Sequence, residues 1–388
     1  MTVDRPGGSV IQRVRAAGLA GVSWIACRLP EGPLIGLADL AGSLAYRLSQ
    51  ERATHARRNL HRIVEYLVAN GSTESRILSA AADPRRLEAL VRAAFRHHAR
   101  YYLEVMRAPG LDERVFERIT VETPELVEAV LSADQSSLFV TAHLGPIELP
   151  AVFLARRSGR RITAPMETLG DPALQRWFER TRGVFGVHIV GLREARRELL
   201  AALRRGEIVG LVADRDITGG GIEVPLFGAL APLPAGPALL LTEVDVPFHA
   251  AGIWRTGRGR YAGRLIEIPV VREGTRRQRI IGTLTNEARA YEELISRAPE
   301  QWTAIFFPIW PDLEAEAART VEAEADGPET APAVEAETEA HAPEGDAAPD
   351  PNGPTPAGQE AETAASDAAL VASTEPKEAD AAVTEAVR

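Results

Sequence analysis

The segment Ser137-Leu-Phe-Val-Thr-Ala-His143-Leu-Gly-Pro-Ile-Glu148 combines the signals of a strand, a loop and a helix within twelve residues. Its first part, residues 137–141, is a short apolar, β-prone run that predicts a buried strand. Pro146 is well suited to the start of a helix, so Glu148 falls in the first turn of that helix. The segment therefore predicts a strand followed by a helix, with His143 in the loop between them.

The same alternation continues toward the C-terminus. We expect further strands at residues 159–165, 187–190, 208–213, 223–227, 247–255 and 260–269. Helical patterns lie between or after them, at residues 172–181, 193–205, 236–244 and 275–295. Strands that alternate with helices at this spacing are typical of layered α/β domains. We predict an α/β fold with a central mixed, largely parallel sheet flanked by helices.

The N-terminal part of the chain is predicted to be helical. Residues 74–108 carry apolar side chains at helical spacing, with a break at Asp83-Pro84. The apolar run at residues 16–27 is shorter than the roughly 20 residues that span a bilayer. Residues 33–48 are also amphipathic, and four arginines follow them: Arg52, Arg57, Arg58 and Arg62. Two interpretations stay open, namely helices that lie on an anionic membrane and helices that pack on the core with solvated arginines.

Charge is distributed unevenly along the chain. The net charge of −10 is the sum of +7 on residues 1–311 and −17 on the remainder. The segment from residue 313 onward is rich in Ala, Glu, Pro and Thr and contains no aromatic residue, which predicts disorder. We therefore expect amphipathic helices at 1–70, an α/β domain at 71–312 and a disordered acidic tail at 313–388.

His143 is the first candidate catalytic residue. Open α/β sheets place their sites beyond the carboxyl ends of strands, and His143 comes directly after a predicted strand. A histidine there can act as a general base near neutral pH, and Glu148 could orient its ring or contact the acceptor. The structural alternative is a histidine that caps a strand and a glutamate that completes a helix N-terminus.

A second cluster, Asp214-Arg215-Asp216, follows the predicted strand at 208–213. One of the two carboxylates could hold the His143 ring in the required tautomer, as the third member of a hydrolase triad does. The structural alternative is a turn with an internal ion pair.

Other classes of site have little support in the sequence. The single Cys27 excludes a disulfide framework and a multi-cysteine zinc site within one chain, and the histidines lack ligand spacing, so we expect no metal. Gly219-Gly220-Gly221 lacks the Lys-Ser/Thr of a P-loop, and no G-x-S-x-G nucleophile elbow is present. The arginines are dispersed rather than interleaved with exposed aromatic residues, which argues against nucleic acid as a partner.

Taken together and in order, the motifs resemble those of the lipid A biosynthesis acyltransferase family, which includes the actinobacterial phosphatidylinositol mannoside acyltransferases. The resemblance covers roughly residues 10–312. Its motifs are Ala56-Arg-Arg-Asn-Leu60, Ala99-Arg-Tyr-Tyr102, Ala142-His-Leu-Gly-Pro-Ile-Glu148, Pro165-Met-Glu167, Arg176 to Arg182-Gly183, Ala213-Asp-Arg-Asp216, Pro225-Leu-Phe-Gly228 and Leu233-Pro-Ala-Gly-Pro-Ala238.

The resemblance implies roles for individual residues. His143 would be the general base, Glu148 would complete the H-x4-D/E motif, and Asp214 would relay with the histidine. Glu167 and Arg182 match two polar positions near the acceptor pocket. Donors to the oxyanion are expected from loop amides around Gly145 or from an arginine such as Arg215. The remaining carboxylate of the cluster, Asp216, is expected to bind substrate.

The resemblance also implies the substrates and the location. We expect a peripheral or monotopic enzyme on the cytoplasmic face of the cell membrane that transfers a fatty acyl group to a mannose hydroxyl of a phosphatidylinositol mannoside. The donor is expected to be acyl-CoA or an acyl carrier protein, with acyl-CoA preferred as the co-substrate and no cofactor. A lauroyl- or myristoyl-transferase that acts on lipid A is the alternative within this chemistry. A non-catalytic membrane scaffold with an acidic tail is the alternative from another class.

Overall fold

The structure is a computed structural model that describes residues 10–166, 171–183, 186–217 and 219–325. Among them, Val10–Glu314 belong to one compact unit and Ala315–Ala325 to a second. The helices are α1 Val10–Arg28, α2 Glu31–Leu48, α3 Gln50–Ala69, α4 Ser75–Ala82, α5 Pro84–Arg107, α6 Pro124–Ser132, α7 Glu148–Ser158, α8 Pro172–Gly183, α9 Ala195–Arg204, α10 Gly236–Leu241, α11 Arg276–Ser296 and α12 Pro311–Ala325. The strands are β1 Ile119–Val121, β2 Ser137–Thr141, β3 Ile162–Met166, β4 Val187–Gly191, β5 Ile208–Val212, β6 Ile222–Leu226, β7 Ala229–Leu233, β8 Phe248–Gly257 and β9 Arg260–Glu267.

Seven strands form the central sheet in the order β1-β9-β8-β2-β5-β3-β4, and β6 pairs with β7 in a separate two-stranded sheet. Every neighbouring pair in the central sheet is parallel except β8 and β9, which are antiparallel. The predicted α/β fold with a mixed, largely parallel sheet is therefore confirmed. Strands β2 and β5 lie side by side in the middle of the sheet, with Thr141 opposite Val212, so the residues that follow both strands meet at one edge.

The N-terminal helices pack against the body through one face and leave another face exposed. On α2, the buried residues are Ile35, Ala38 and Gly42. A side chain at Gly42 would collide with the backbone of α5, where a Cβ would lie 2.6 Å from the Phe95 carbonyl oxygen. The glycine therefore permits close approach of the two helices. Within the described residues, no helix is long and apolar enough to cross a membrane.

The segment after α11 packs against α3 and β6. It contains two short 3₁₀ helices, Pro299–Gln301 and Thr303–Phe306. The buried Asn59 of α3 donates hydrogen bonds to the Ile305 and Phe307 carbonyls, each at 2.9 Å, and the Trp310 indole donates to the Leu226 carbonyl at 3.0 Å. These contacts fix a segment that is distant in sequence beside the carboxyl ends of β2 and β5.

Some elements differ from the sequence predictions. The break at Asp83-Pro84 is confirmed, and Asp83 caps α5 by accepting a hydrogen bond from the Arg85 amide. Strands β1 and β7 and helix α6 were not predicted. At the other end, α12 continues through Ala325, past the predicted start of disorder at 313, and residues 326–388 lie outside the described residues.

Candidate active site

His143 and Asp214 form a hydrogen-bonded pair at the carboxyl edge of the sheet. The Asp214 Oδ1 atom lies 2.6 Å from His143 Nδ1, and Asp214 Oδ2 accepts a hydrogen bond from the His143 backbone N–H at 2.9 Å. One carboxylate therefore holds both the ring and the backbone of the histidine. The His143 side chain keeps 38% of its surface exposed, while that of Asp214 keeps only 1%. The structure thus brings together two of the predicted site residues, His143 and Asp214.

Trp302 completes the surroundings of the buried carboxylate. Its indole Nε1 donates to Asp214 Oδ2 at 2.5 Å, and its side chain is fully buried. Burial by itself raises the pKa of Asp214, but the charge of His143 and the hydrogen bonds from His143 and Trp302 outweigh it. The net result is an Asp214 pKa below its usual value. Asp214 thus stays ionised where it can hold the Nδ1 proton of the histidine.

The loop that carries His143 is fastened to the segment before and after Trp302. The Gly145 amide donates to the Gln301 carbonyl at 3.1 Å, and the Thr303 amide donates to the His143 carbonyl at 2.9 Å. Gly145 has a φ of +62°, and a Cβ there would lie 2.3 Å from the Ile253 carbonyl oxygen. Glycine is required at this position for both reasons, the backbone conformation and the close approach.

Three amides of the loop in which an oxyanion donor is expected make hydrogen bonds within the protein. The His143 amide donates to Asp214, the Leu144 amide to the Ala142 carbonyl at 2.6 Å, and the Gly145 amide to Gln301. All three donors are already engaged in holding the loop.

Glu148 is the first residue of α7, as the sequence predicts, and it pairs with Arg182 of α8. The Arg182 Nη2 and Nε atoms lie 2.9 and 3.3 Å from Glu148 Oε1. Both side chains are about one-fifth exposed, so the pair lies at the wall of the site rather than in the core. Two predicted polar residues are therefore brought together here.

The other predicted residues occupy different positions. The Arg215 guanidinium lies over the Phe307 ring, 3.9 Å from its centroid. Asp216 accepts hydrogen bonds from the Gly219 and Gly221 amides at 3.2 and 2.7 Å, so its carboxylate holds the glycine-rich turn. Glu167 lies outside the described residues.

Trp302 and Gln301 were not assigned to the site from the sequence. Gln301 clamps β8, since its side chain accepts from the Arg255 amide at 2.9 Å and donates to the Arg255 carbonyl at 2.8 Å. The sequence around Trp302 gives no signal that its indole contacts a carboxylate 88 positions away.

Two cavities adjoin the loop, and Glu148 lines both of them. The first is an apolar cleft of about 120 Å³ against the sheet, between α7 and strands β2, β3 and β5; it also includes Thr141 and Arg182. The second is a polar cavity of about 400 Å³ on the other side, which includes Pro146 and Leu149. Among the described residues, no group of three or more His, Cys, Asp or Glu side chains could hold a metal ion.

Comparison with known proteins gives the class of this molecule. Residues 12–307 match the family described as "Bacterial lipid A biosynthesis acyltransferase", and this range includes the His143–Asp214 pair and the entire central sheet. The protein is an acyltransferase. More narrowly, the chain belongs to the bacterial lipid A biosynthesis acyltransferase family.

Relatives within this family carry a more specific name. A protein of Mycolicibacterium smegmatis named phosphatidylinositol mannoside acyltransferase is 30% identical over 175 residues, which cover 44% of this chain and 57% of the relative. A Mycobacterium tuberculosis protein of the same name is 28% identical over 267 residues, which cover 63% of this chain and 80% of the relative.

Proposed function

We propose that this enzyme transfers a fatty acyl group from acyl-CoA to a mannose hydroxyl of a phosphatidylinositol mannoside. The acyltransferase family supports the reaction class, and the mycobacterial relatives support the acceptor. The observation that carries the mechanism is the 2.6 Å contact between His143 Nδ1 and the buried Asp214 carboxylate.

In the proposed reaction, His143 Nε2 removes the proton of the acceptor hydroxyl while the hydroxyl oxygen attacks the thioester carbonyl. The tetrahedral oxyanion collapses, the C–S bond breaks, and the imidazolium returns its proton to the departing CoA thiolate. The products are the acyl ester and free CoA. Asp214 accepts the Nδ1–H throughout, which leaves Nε2 as the basic nitrogen and stabilises the imidazolium.

Arg215 is the proposed donor to the oxyanion. The amides of residues 143–145 donate to acceptors within the protein, and a guanidinium supplies the positive charge that this intermediate needs. Arg215 directly follows Asp214 and is held over Phe307. This contact limits its motion and supports a preorganised role.

The Glu148–Arg182 pair is proposed to bind the acceptor, together with Glu167. A carboxylate and a guanidinium offer acceptors and donors to neighbouring sugar hydroxyls. The cleft beside this pair is lined largely by apolar side chains, including Phe139, Leu154 and Ile189, which supports binding of the acyl chain there.

The N-terminal helices are proposed to hold the enzyme on the cytoplasmic face of the membrane. Leu37, Leu40, Leu44 and Leu48 of α2 follow one another at helical spacing and are each 54–69% exposed. On α1, Trp24 is 58% exposed and carries the Arg28 guanidinium 3.7 Å from its ring centroid. An apolar face with arginines at its border suits an anionic lipid surface.

The test is acyl transfer by the purified protein, with products identified by mass spectrometry. Radiolabelled palmitoyl-CoA and palmitoyl-acyl carrier protein would be offered in parallel, each with phosphatidylinositol mannosides as the acceptor. We expect transfer from acyl-CoA, and loss of at least about 10²–10⁴-fold in His143→Ala, which lacks the base. Circular dichroism and vesicle flotation should be unchanged in the variant. Normal transfer by His143→Ala would overturn the mechanism.

A lauroyl- or myristoyl-transferase acting on lipid A is the second candidate, because the matching family is described by that pathway. The same assay with a lipid A precursor as the acceptor separates the two. Transfer to the lipid A precursor, without transfer to the mannoside, would replace the first proposal with the second.

A further inference from the structure

The polar cavity of about 400 Å³ lies between the α1–α2 junction, the end of α5 and the β8–β9 hairpin. Glu148, at the start of α7, lines its inner end, and the opposite wall is formed by the first turn of α2. The cavity therefore extends from the candidate active site to the N-terminal helices.

Charges in the cavity wall are balanced. Four arginines line it: Arg100, Arg107, Arg118 and Arg255. Four carboxylates also line it: Glu31, Glu104, Asp112 and Glu148. A wall with no formal excess of positive charge is poorly suited to the clustered phosphates of a nucleotide, but it offers many donors and acceptors to the hydroxyls of a sugar.

The arginines are held in place by carboxylates or by backbone oxygens. Arg100 makes two 2.6 Å contacts with Asp39, and Arg118 lies 3.1 Å from Glu31. Arg255 is almost fully buried and pairs with Glu104, with 2.8 Å between its Nε and Glu104 Oε1. The wall is thus preorganised, which reduces the entropy that is lost when a ligand binds.

Two tyrosines, Tyr101 and Tyr261, add aromatic surface to the same wall, and Tyr261 is only 7% exposed. Burial raises the pKa of both tyrosines, so their hydroxyls remain protonated and act as donors or acceptors. Rings beside ion-paired polar groups offer an apolar surface to the C–H groups of a sugar and hydrogen bonds to its hydroxyls.

Exposed apolar residues lie next to the cavity. Leu29, which lines the cavity, is 46% exposed, and Trp24 and Ile25 on the preceding turn of α1 are 58% and 50% exposed. A lipid whose headgroup enters the cavity beside these residues could leave its acyl chains on this apolar surface.

We propose that this cavity binds the polyhydroxylated glycosyl headgroup of the acceptor lipid. The assignment rests on the proposed function and adds to it the location of the acceptor. Glu148 then lies between the two substrates, with the acyl chain in the apolar cleft and the headgroup in the polar cavity.

Gly257 allows a direct steric test. It lines the cavity, has an ordinary backbone conformation, and would place a Cβ with no atom within 4 Å. Gly257→Trp should raise the KM for the mannoside acceptor at least tenfold and leave the KM for acyl-CoA and the melting temperature unchanged. The matched control is Gly236→Trp, at another open glycine that does not line the cavity, and it should change neither constant. An unchanged acceptor KM, or a raised donor KM, in Gly257→Trp would overturn the assignment.

Cys27 provides a binding test that needs no turnover. It is the only cysteine in the chain, lines the cavity and is half-buried. Water-soluble glycerophosphoinositol mannoside should slow its reaction with N-ethylmaleimide, whereas CoA should not. Protection by CoA alone, or by neither compound, would refute the cavity assignment. If the mannoside protects Cys27 but no acyl transfer occurs, the proposed function fails while the binding site stands.

Discussion

Trp302 donates its indole N–H to the same Asp214 oxygen that accepts the His143 backbone amide. Asp214 therefore has both oxygens occupied, and its position is fixed from three directions. The tryptophan is the only one of these donors that does not belong to His143 itself.

Trp302→Phe should lower activity, because it removes the indole donor while keeping an aromatic ring at this position. The variant leaves the buried carboxylate with one donor fewer, which should destabilise the fold by about 1.5–3 kcal/mol. The Asp214 pKa should rise, and we expect kcat to fall about tenfold or more. Trp310→Phe is the matched control, because it also loses a buried indole hydrogen bond, but to the Leu226 carbonyl. Equal kcat losses in the two variants would contradict a specific role for Trp302.

Asp214→Asn should abolish most transfer while the protein stays folded. An amide at this position can donate a hydrogen bond to Nδ1, which would place the ring proton on Nε2 and remove the base. By analogy with the serine protease triad, the expected loss in kcat is about 10⁴-fold. Steady-state assays with saturating donor and acceptor measure it. A loss of less than tenfold would mean that His143 does not depend on this carboxylate.

Gly145→Ala tests the close packing of the catalytic loop. The added methyl group would collide with the Ile253 carbonyl oxygen, in addition to the cost of positive φ at a non-glycine residue. Gly206→Ala separates the two effects, since Gly206 has a φ of +84° but open space around it. We expect Gly206→Ala to cost about 1–2 kcal/mol of unfolding free energy and to keep full activity. Gly145→Ala should lose more unfolding free energy than Gly206→Ala and should also lose activity. Similar losses of unfolding free energy in the two variants would exclude the steric effect.

Glu287 should make stability depend on pH in the neutral range. The Glu287 side chain is fully buried on α11. Burial and the nearby Asp214 charge raise its pKa to about 8, although the hydrogen bond from the Tyr291 hydroxyl lowers it. The pKa in the unfolded chain is about 4.3, so between these values unfolding releases a proton and stability falls as the pH rises. This contribution is fully present below about pH 4 and is lost by about pH 8.

The amide introduced by Glu287→Gln cannot titrate. The free energy of unfolding of this variant should therefore increase, relative to that of the native protein, as the pH rises from 5 to 8. The slope is at most about 1.4 kcal/mol for each pH unit. Urea denaturation at four pH values measures the difference. Glu273→Gln, at an exposed glutamate, is the control, and its free energy of unfolding should change with pH in the same way as that of the native protein. A parallel curve for Glu287→Gln would show that Glu287 is ionised in the folded state.

The centre of the sheet could be predicted from the sequence because most of β2 and the first two residues of β5 are buried. Residues 137–141 and 208–212 read as continuous apolar runs, which is typical of parallel strands covered by helices. The three-residue β1 is too short to produce a pattern. Strand β7 contains Pro232, which lacks an amide and weakens the strand signal.

The pairing of His143 with Asp214 could be predicted for the same reason, since both residues follow adjacent central strands. The contact with Trp302 could not, because it depends on how α11 and the segment after it return to the sheet. The sequence also does not reveal that Gln301 provides a backbone acceptor for the Gly145 amide.

The contribution of residues 301–303 has a consequence for biosynthesis. These residues complete the Asp214 environment and hold the Gly145 loop, yet the ribosome adds them long after His143 and Asp214. A nascent chain that ends before Trp302 contains His143 and Asp214, but it lacks the segment that fixes their positions. The growing polypeptide should therefore have little acyltransferase activity until this late segment has emerged.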